Sequence, residues 1–127
     1  MAKMRIKRVN EDDFKRIRLW NRLRSMTTLK RDYYPEIGFI VDDVCAGFIV
    51  QTDSLICFLD GFASNPHSDK AVRDQALDLL SDTLVNFAHQ RGYKLIMAYT
   101  RHPSIKKRCR KYGFAYKGED GLYSREI

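Results

Sequence analysis

The chain is poor in the residues that announce a special architecture. Its three cysteines, Cys45, Cys57 and Cys109, are widely spaced and form no CxxC pair, so neither a disulfide framework nor a zinc knuckle is implied. Reduced thiols fit a cytoplasmic setting. Prolines number three and glycines seven in 127 residues, and no repeat, linker or low-complexity stretch interrupts the order, so one domain over residues 1–127 is expected. No apolar run is long enough to span a bilayer, and the basic start Met-Ala-Lys-Met-Arg-Ile-Lys-Arg is not followed by an apolar stretch. Neither secretion nor a membrane partner is expected. His67, His89 and His102 lack ligand-like spacing, so no metal site is expected.

Hydrophobic residues make up 44% of the chain and charged residues 31%, enough apolar content to close a core. The charge is uneven: 23 Lys and Arg against 16 Asp and Glu give a formal +7, a bias toward polyanions or anionic cofactors.

The pattern of elements is regular. Met4 to Val9 reads as a strand, and Asn10-Glu11-Asp12-Asp13 as the cap and acidic first turn of a helix that starts near Glu11. Phe14, Ile17, Trp20 and Leu23 share one face of that helix, and Val9 and Phe14 have staple spacing. From Ser25 to Pro35 the pattern weakens, and Lys30 to Pro35 reads as a loop or a short second helix ending before the proline. Gly38 to Val41, Val44 to Gln51 and Leu55 to Phe62 form a three-stranded antiparallel meander whose first turn is Asp42-Asp43. Val72, Ala76, Leu79, Leu80, Leu84, Phe87 and Ala88 mark a long helix after Asn65-Pro66, stopped by Gly92. Tyr93 to Tyr99 is a strand and Pro103 to Lys111 a short basic helix stopped by Gly113; Phe114 to Tyr116 with Leu122 to Ser124 reads as a closing hairpin. A strand that follows a crossover helix lies parallel to the strand before it, so Leu55 to Phe62 and Tyr93 to Tyr99 are expected as parallel neighbours able to open a cleft.

This order is similar to that of the GNAT superfamily of coenzyme A-dependent N-acyltransferases, and two local stretches carry the resemblance. One is Asn65-Pro66 before the long helix, with Ala76-Leu77 within it; the other is His102 to Phe114, a helix ending in Gly113-Phe114. The chain also resembles the compact, glycine-poor GNAT-like proteins of bacteriophages. The resemblance implies an α/β fold with a mixed, mostly antiparallel sheet flanked by helices, acetyl-CoA as cofactor, and transfer of an acyl group from the coenzyme A thioester to an amine.

Family members hold the coenzyme's pyrophosphate on backbone amides in a Gln/Arg-x-x-Gly-x-Gly/Ala loop. The matching positions here are Asp69, Val72 and Asp74, so the signature side chains are absent. The resemblance leaves the amides of Lys70, Ala71, Val72, Arg73 and Asp74 for the pyrophosphate, with Asp69 as helix cap and Lys70 and Arg73 supplying positive charge. It assigns the backbone of Phe62, Ala63 and Ser64 to the thioester carbonyl. Where the family places its tyrosine general acid the chain has Cys109, with Tyr112 nearby on another helix face. Asp60, the one carboxylate in the third meander strand, is the candidate base; its plain alternative is a strand-end residue that faces solvent or holds a turn. The basic face of the first helix and the cluster Arg101, Lys106, Lys107, Arg108, Arg110 and Lys111 leave a second class of function open, a GNAT-fold protein without activity that binds nucleic acid or an acidic protein. Solvation is the ordinary role of such faces.

Overall fold

A computed structural model describes residues 3–99, 103–118 and 123–126. Its elements are β1 (Ile6–Arg8), α1 (Glu11–Leu23), β2 (Ile37–Val41), β3 (Cys45–Val50), β4 (Ile56–Ser64), α2 (Lys70–Gln90), β5 (Leu95–Ala98) and α3 (Pro103–Lys111), with a 3-10 turn at Arg31–Tyr33. The strands form one sheet in sequential order, antiparallel from β1 to β4 and parallel between β4 and β5. This is the mixed sheet expected from the sequence. Among the described residues no helix is long and apolar enough to cross a membrane.

The two sheet faces follow from the alternation of side chains along each strand. One face carries Val41, Cys45, Ile49, Cys57 and Leu59 against Ala76, Leu80, Leu84 and Ala88 of α2. The other carries Ile40, Ala46, Phe48 and Ala63 against Phe14, Ile17 and Trp20 of α1 and against Tyr34. Phe48 is fully buried at the centre of this second layer, with Phe14 and Tyr34 rings 5.7 and 5.1 Å away. A Cβ on Gly38 would lie 2.3 Å from its ring and one on Gly61 2.9 Å, so the ring lies over bare backbone on both sides.

The caps explain where the helices stand. Asn10 and Asp13 form a capping box, with Asp13 N–H donating to Asn10 Oδ1 at 3.1 Å and Asn10 N–H to Asp13 Oδ2 at 2.9 Å. All three helices end in the same double hydrogen bond, with Ser25, Gly92 and Gly113 at the left-handed position.

Several boundaries differ from the sequence reading. β1 is three residues long, because its partners in β2 are only Phe39, Ile40 and Val41. The β2–β3 connection takes in Val44 as well as Asp42 and Asp43, since Val41 pairs with Cys45. Leu23 and Val72 are exposed although their spacing places them on apolar faces; Leu23 is the last residue of α1, and Val72 lies a full turn before Ala76, the first buried residue of α2. Phe114 to Tyr116 is not a strand: Phe114 packs against the α2 layer while Tyr116 is exposed. Arg101, His102 and Leu122 lie outside the described residues.

Candidate functional site

The parallel pairing of β4 and β5 runs from Ile56 opposite Leu95 to Leu59 opposite Ala98 and stops there, whereas β4 continues to Ser64 on β3 alone. Beyond that point β4 has no strand partner on its β5 side among the described residues, and we call this open edge the fork. Gly61 lies at φ +67, and the β3–β4 register shifts between Ala46 and Phe48, so Gly61 and Phe62 together face Gly47. This is a β-bulge with its glycine in the left-handed region, which re-aims the residues that follow.

The backbone beyond the bulge is the chemically useful part. Asn65 N–H donates to Val44 C=O at 2.7 Å, and successive residues of an antiparallel strand turn their polar groups to opposite sides. Ser64 and Phe62 therefore direct theirs away from β3, into the fork, while Ala63 turns its own toward Ala46. The Phe62 ring packs into the α2 layer over Gly47, and Ala63 is buried in the α1 layer. Ser64 C=O accepts a 3.0 Å hydrogen bond from Arg24 Nε at the C-terminus of α1.

Asp60 is the first residue past the parallel pairing. It is exposed, and its Oδ1 accepts the Gly61 N–H at 2.7 Å. The carboxylate thus braces the bulge at the mouth of the fork.

The connection from β4 to α2 is tied by short local bonds. Asn65 Nδ2 donates to Asp43 C=O at 3.0 Å, His67 N–H to Asn65 Oδ1 at 3.0 Å, and Ser68 Oγ to Asn65 C=O at 2.6 Å. Asp69 caps α2, its carboxylate accepting Ala71 N–H at 2.8 Å, and its carbonyl accepts Arg73 N–H at 2.8 Å. Arg73 donates to Ser68 C=O at 2.7 Å. Of the five residues whose amides the sequence offers, Ala71 and Arg73 are therefore engaged and Asp74 lies further into the helix ladder. Lys70 and Val72 hold the first-turn amides that a helix leaves without an internal acceptor.

Charge around this start is balanced in a way the sequence does not disclose. Asp74 pairs with Lys70 and with Arg108 of α3, both at 3.1 Å. Asp78 receives Arg108 at 2.9 Å, Lys111 at 3.0 Å and the hydroxyl of Tyr112. Burial, then the Asp78 carboxylate, push the Tyr112 phenol up to about 12, so it is held as a donor to α2. Cys109 is half-buried on α3, and burial raises its thiol above the ordinary range. Cys45 is pushed up to about 12 by burial and is inert in the core. The structure thus brings Asp60, Phe62, Ser64 and the first turn of α2 to one end of β4, and sets Tyr112 on Asp78. Gly61, Arg24 and Asp78 were missed; an Asp-Gly pair inside a strand pattern is a bulge signal, and nothing local marks the other two.

An extended thioester with a pyrophosphate requires free backbone donors and no uncompensated carboxylate. The fit is met at Phe62, Ser64, Lys70 and Val72, and by the neutralised Asp74; it is not met at the Ala71 amide, which Asp69 occupies. Two surface depressions, of about 320 Å³ beside Tyr33, Pro35 and Gln51 and about 360 Å³ beside Arg5, Arg16 and Asp43, are lined by no residue of the fork.

No protein-family model and no curated protein matches the sequence. Solved structures do. An acetyltransferase from Streptococcus agalactiae superposes with a TM-score of 0.73 at 16% identity, covering 100% of this chain and 92% of the other. The ribosomal-protein-S18-alanine N-acetyltransferase of Escherichia coli gives 0.71 at 13% identity over 91% and 80%. An aminoglycoside N-acetyltransferase in complex with CoA gives 0.58 at 14% identity over 100% and 97%. Sequence identity this low with agreement over nearly the whole chain defines a shared architecture, and on that ground the chain has the fold of the GNAT-superfamily acetyltransferases.

Proposed function

We propose that this protein is an N-acyltransferase that takes an acyl group from a coenzyme A thioester, acetyl-CoA first among them, and delivers it to an amine. The observation that carries the reading is the fork, where β4 runs on past Ala98 through a glycine bulge and leads by a tied turn into the capped start of α2. The thioester supplies an activated acyl carbon. The Phe62 and Ser64 backbone groups that face the fork are the donors for its carbonyl oxygen, and the Lys70 and Val72 amides with the Lys70 and Arg73 side chains hold the pyrophosphate. Asp60 accepts the proton that the amine releases, and Cys109, protonated at neutral pH, is the donor to the departing sulfur. Tyr112 acts through its bond to Asp78, which fixes α3. The buried free thiols Cys45 and Cys57 support a reducing, cytoplasmic setting.

One observation favours a second reading, a protein that kept the fold and binds a partner without catalysis. The Asp69 carboxylate sits on the Ala71 amide, where an anion would otherwise bind. Isothermal titration with acetyl-CoA separates the two readings, using the wild type and Val72→Arg, whose exposed site tolerates the larger side chain. Saturable heat that the variant abolishes is the expected result; no heat with the folded wild type would replace the enzyme by the binder.

A further inference from the structure

The excess charge of this protein is concentrated in one segment. Between Asp13 and Asp32 there are seven Lys and Arg (Lys15, Arg16, Arg18, Arg22, Arg24, Lys30 and Arg31) and no Asp or Glu, and the formal charge of the whole chain is +7. The remaining residues are therefore balanced. Arg16 is paired with Asp13 and Asp43, and Arg31 with Glu11, but Lys15, Arg18, Arg22, Arg24 and Lys30 are in no ion pair among the described residues. Like charges gathered on one segment without paired carboxylates repel one another.

The same segment exposes aliphatic side chains. Leu19, Leu23, Met26 and Leu29 are each between 44% and 49% exposed, and Leu19 and Leu23, four apart on α1, share its outer face. Arg22 and Lys15 border them. Arg24, bonded to Ser64 C=O, anchors this surface against the end of β4, so it leads to the fork.

We infer that the outer face of α1 and the chain that follows it dock an acidic polypeptide with apolar anchors, which, if the acyl-transfer reading holds, is the acceptor whose amine enters the fork. Only that last clause rests on acyl transfer. Nucleic acid is the poorer match, because four aliphatic side chains between the cations gain nothing against phosphates. A lipid surface is also poorer, because α1 turns its broad apolar face, Phe14, Ile17 and Trp20, into the core. An apolar centre with a charged rim is the composition of a protein interface.

The test uses a short fluorescein-labelled peptide of Glu with Leu at every fourth position, and a peptide of equal charge with Ser in place of Leu. Anisotropy is read for the wild type, for Leu19→Ser with Leu23→Ser, and for Arg22→Glu with Lys30→Glu, all exposed sites, with circular dichroism confirming the fold. The Leu peptide is expected to bind more tightly than the Ser peptide, and each double variant to weaken it about tenfold. The inference is overturned by no binding, by equal binding of the two peptides, or by indifference to both variants. Tighter binding of a DNA duplex or of phosphatidylserine vesicles, lost in the same variants, overturns it as well. Mass measurement of the bound peptide after adding acetyl-CoA reports separately on acyl transfer: docking without modification leaves the inference standing and removes the acceptor clause.

Discussion

Asp13 is an ionised side chain in a nearly closed place, 4% exposed, with Lys7, Arg16 and the Asn10 amide as its partners. Burial alone would raise its carboxyl, but the three donors outweigh it and hold the group below its ordinary value. A carboxyl depressed in the folded state adds stability that is complete above its unfolded value, about 3.9, and is lost as the pH falls through the folded value. Asp13→Ala should thus cost roughly 2 kcal/mol near neutral pH. The gap from wild type in urea melts should narrow in acid. Tyr112 has the opposite sign: its phenol is raised, so its contribution is intact below the unfolded value of about 10 and falls as the pH climbs toward about 12. Tyr112→Phe should flatten the alkaline limb of the stability profile, as urea melts on either side of pH ~10 would read.

The helix ends differ by one residue type. Gly92 and Gly113 take the left-handed position without cost, whereas α1 puts Ser25 there at φ 55. Ser25→Gly should stabilise the protein by up to about 1 kcal/mol, the relief of backbone strain exceeding the added freedom of the unfolded chain, and a thermal melt will show it. The elements whose signals are local were legible in the sequence: α3 from Pro103 to Lys111, the Asn10 cap, and α2 with its glycine stop. The bulge was passed over, because Leu55 to Phe62 reads as one unbroken strand despite its Asp60-Gly61 pair, and pairing with β3 shows that Gly61 and Phe62 share a partner. The closing hairpin was misread at Phe114, where three apolar or aromatic residues imitate a strand and the core takes the first of them. At the candidate site, the structure sets Asp60 and the start of α2 at one end of β4, while the bonds that decide their use, to Gly61 and Ala71, depend on backbone geometry that no spacing encodes.

Across the whole molecule, the sheet and its two layers are held by apolar contact, but α3 is fastened to α2 through Asp74, Asp78, Arg108, Lys111 and Tyr112. These partners are thirty or more residues apart in sequence, and so escaped the sequence reading. Asp78→Ala should raise amide exchange of residues 105–112 about tenfold while leaving the centre of α2 protected, because local opening follows the weakest attachment. Phe48 has a different reach. Its ring is fitted to two missing side chains on two different strands, Gly38 at one side and Gly61 at the other, and Gly61 is also the pivot of the fork. A change at any one of the three alters the shape required of the other two. Among descendants of this chain the three positions should therefore drift as a set, so that a relative with a smaller residue at 48 also carries a side chain at 38, and inheritance of the set marks which lineages keep the fork.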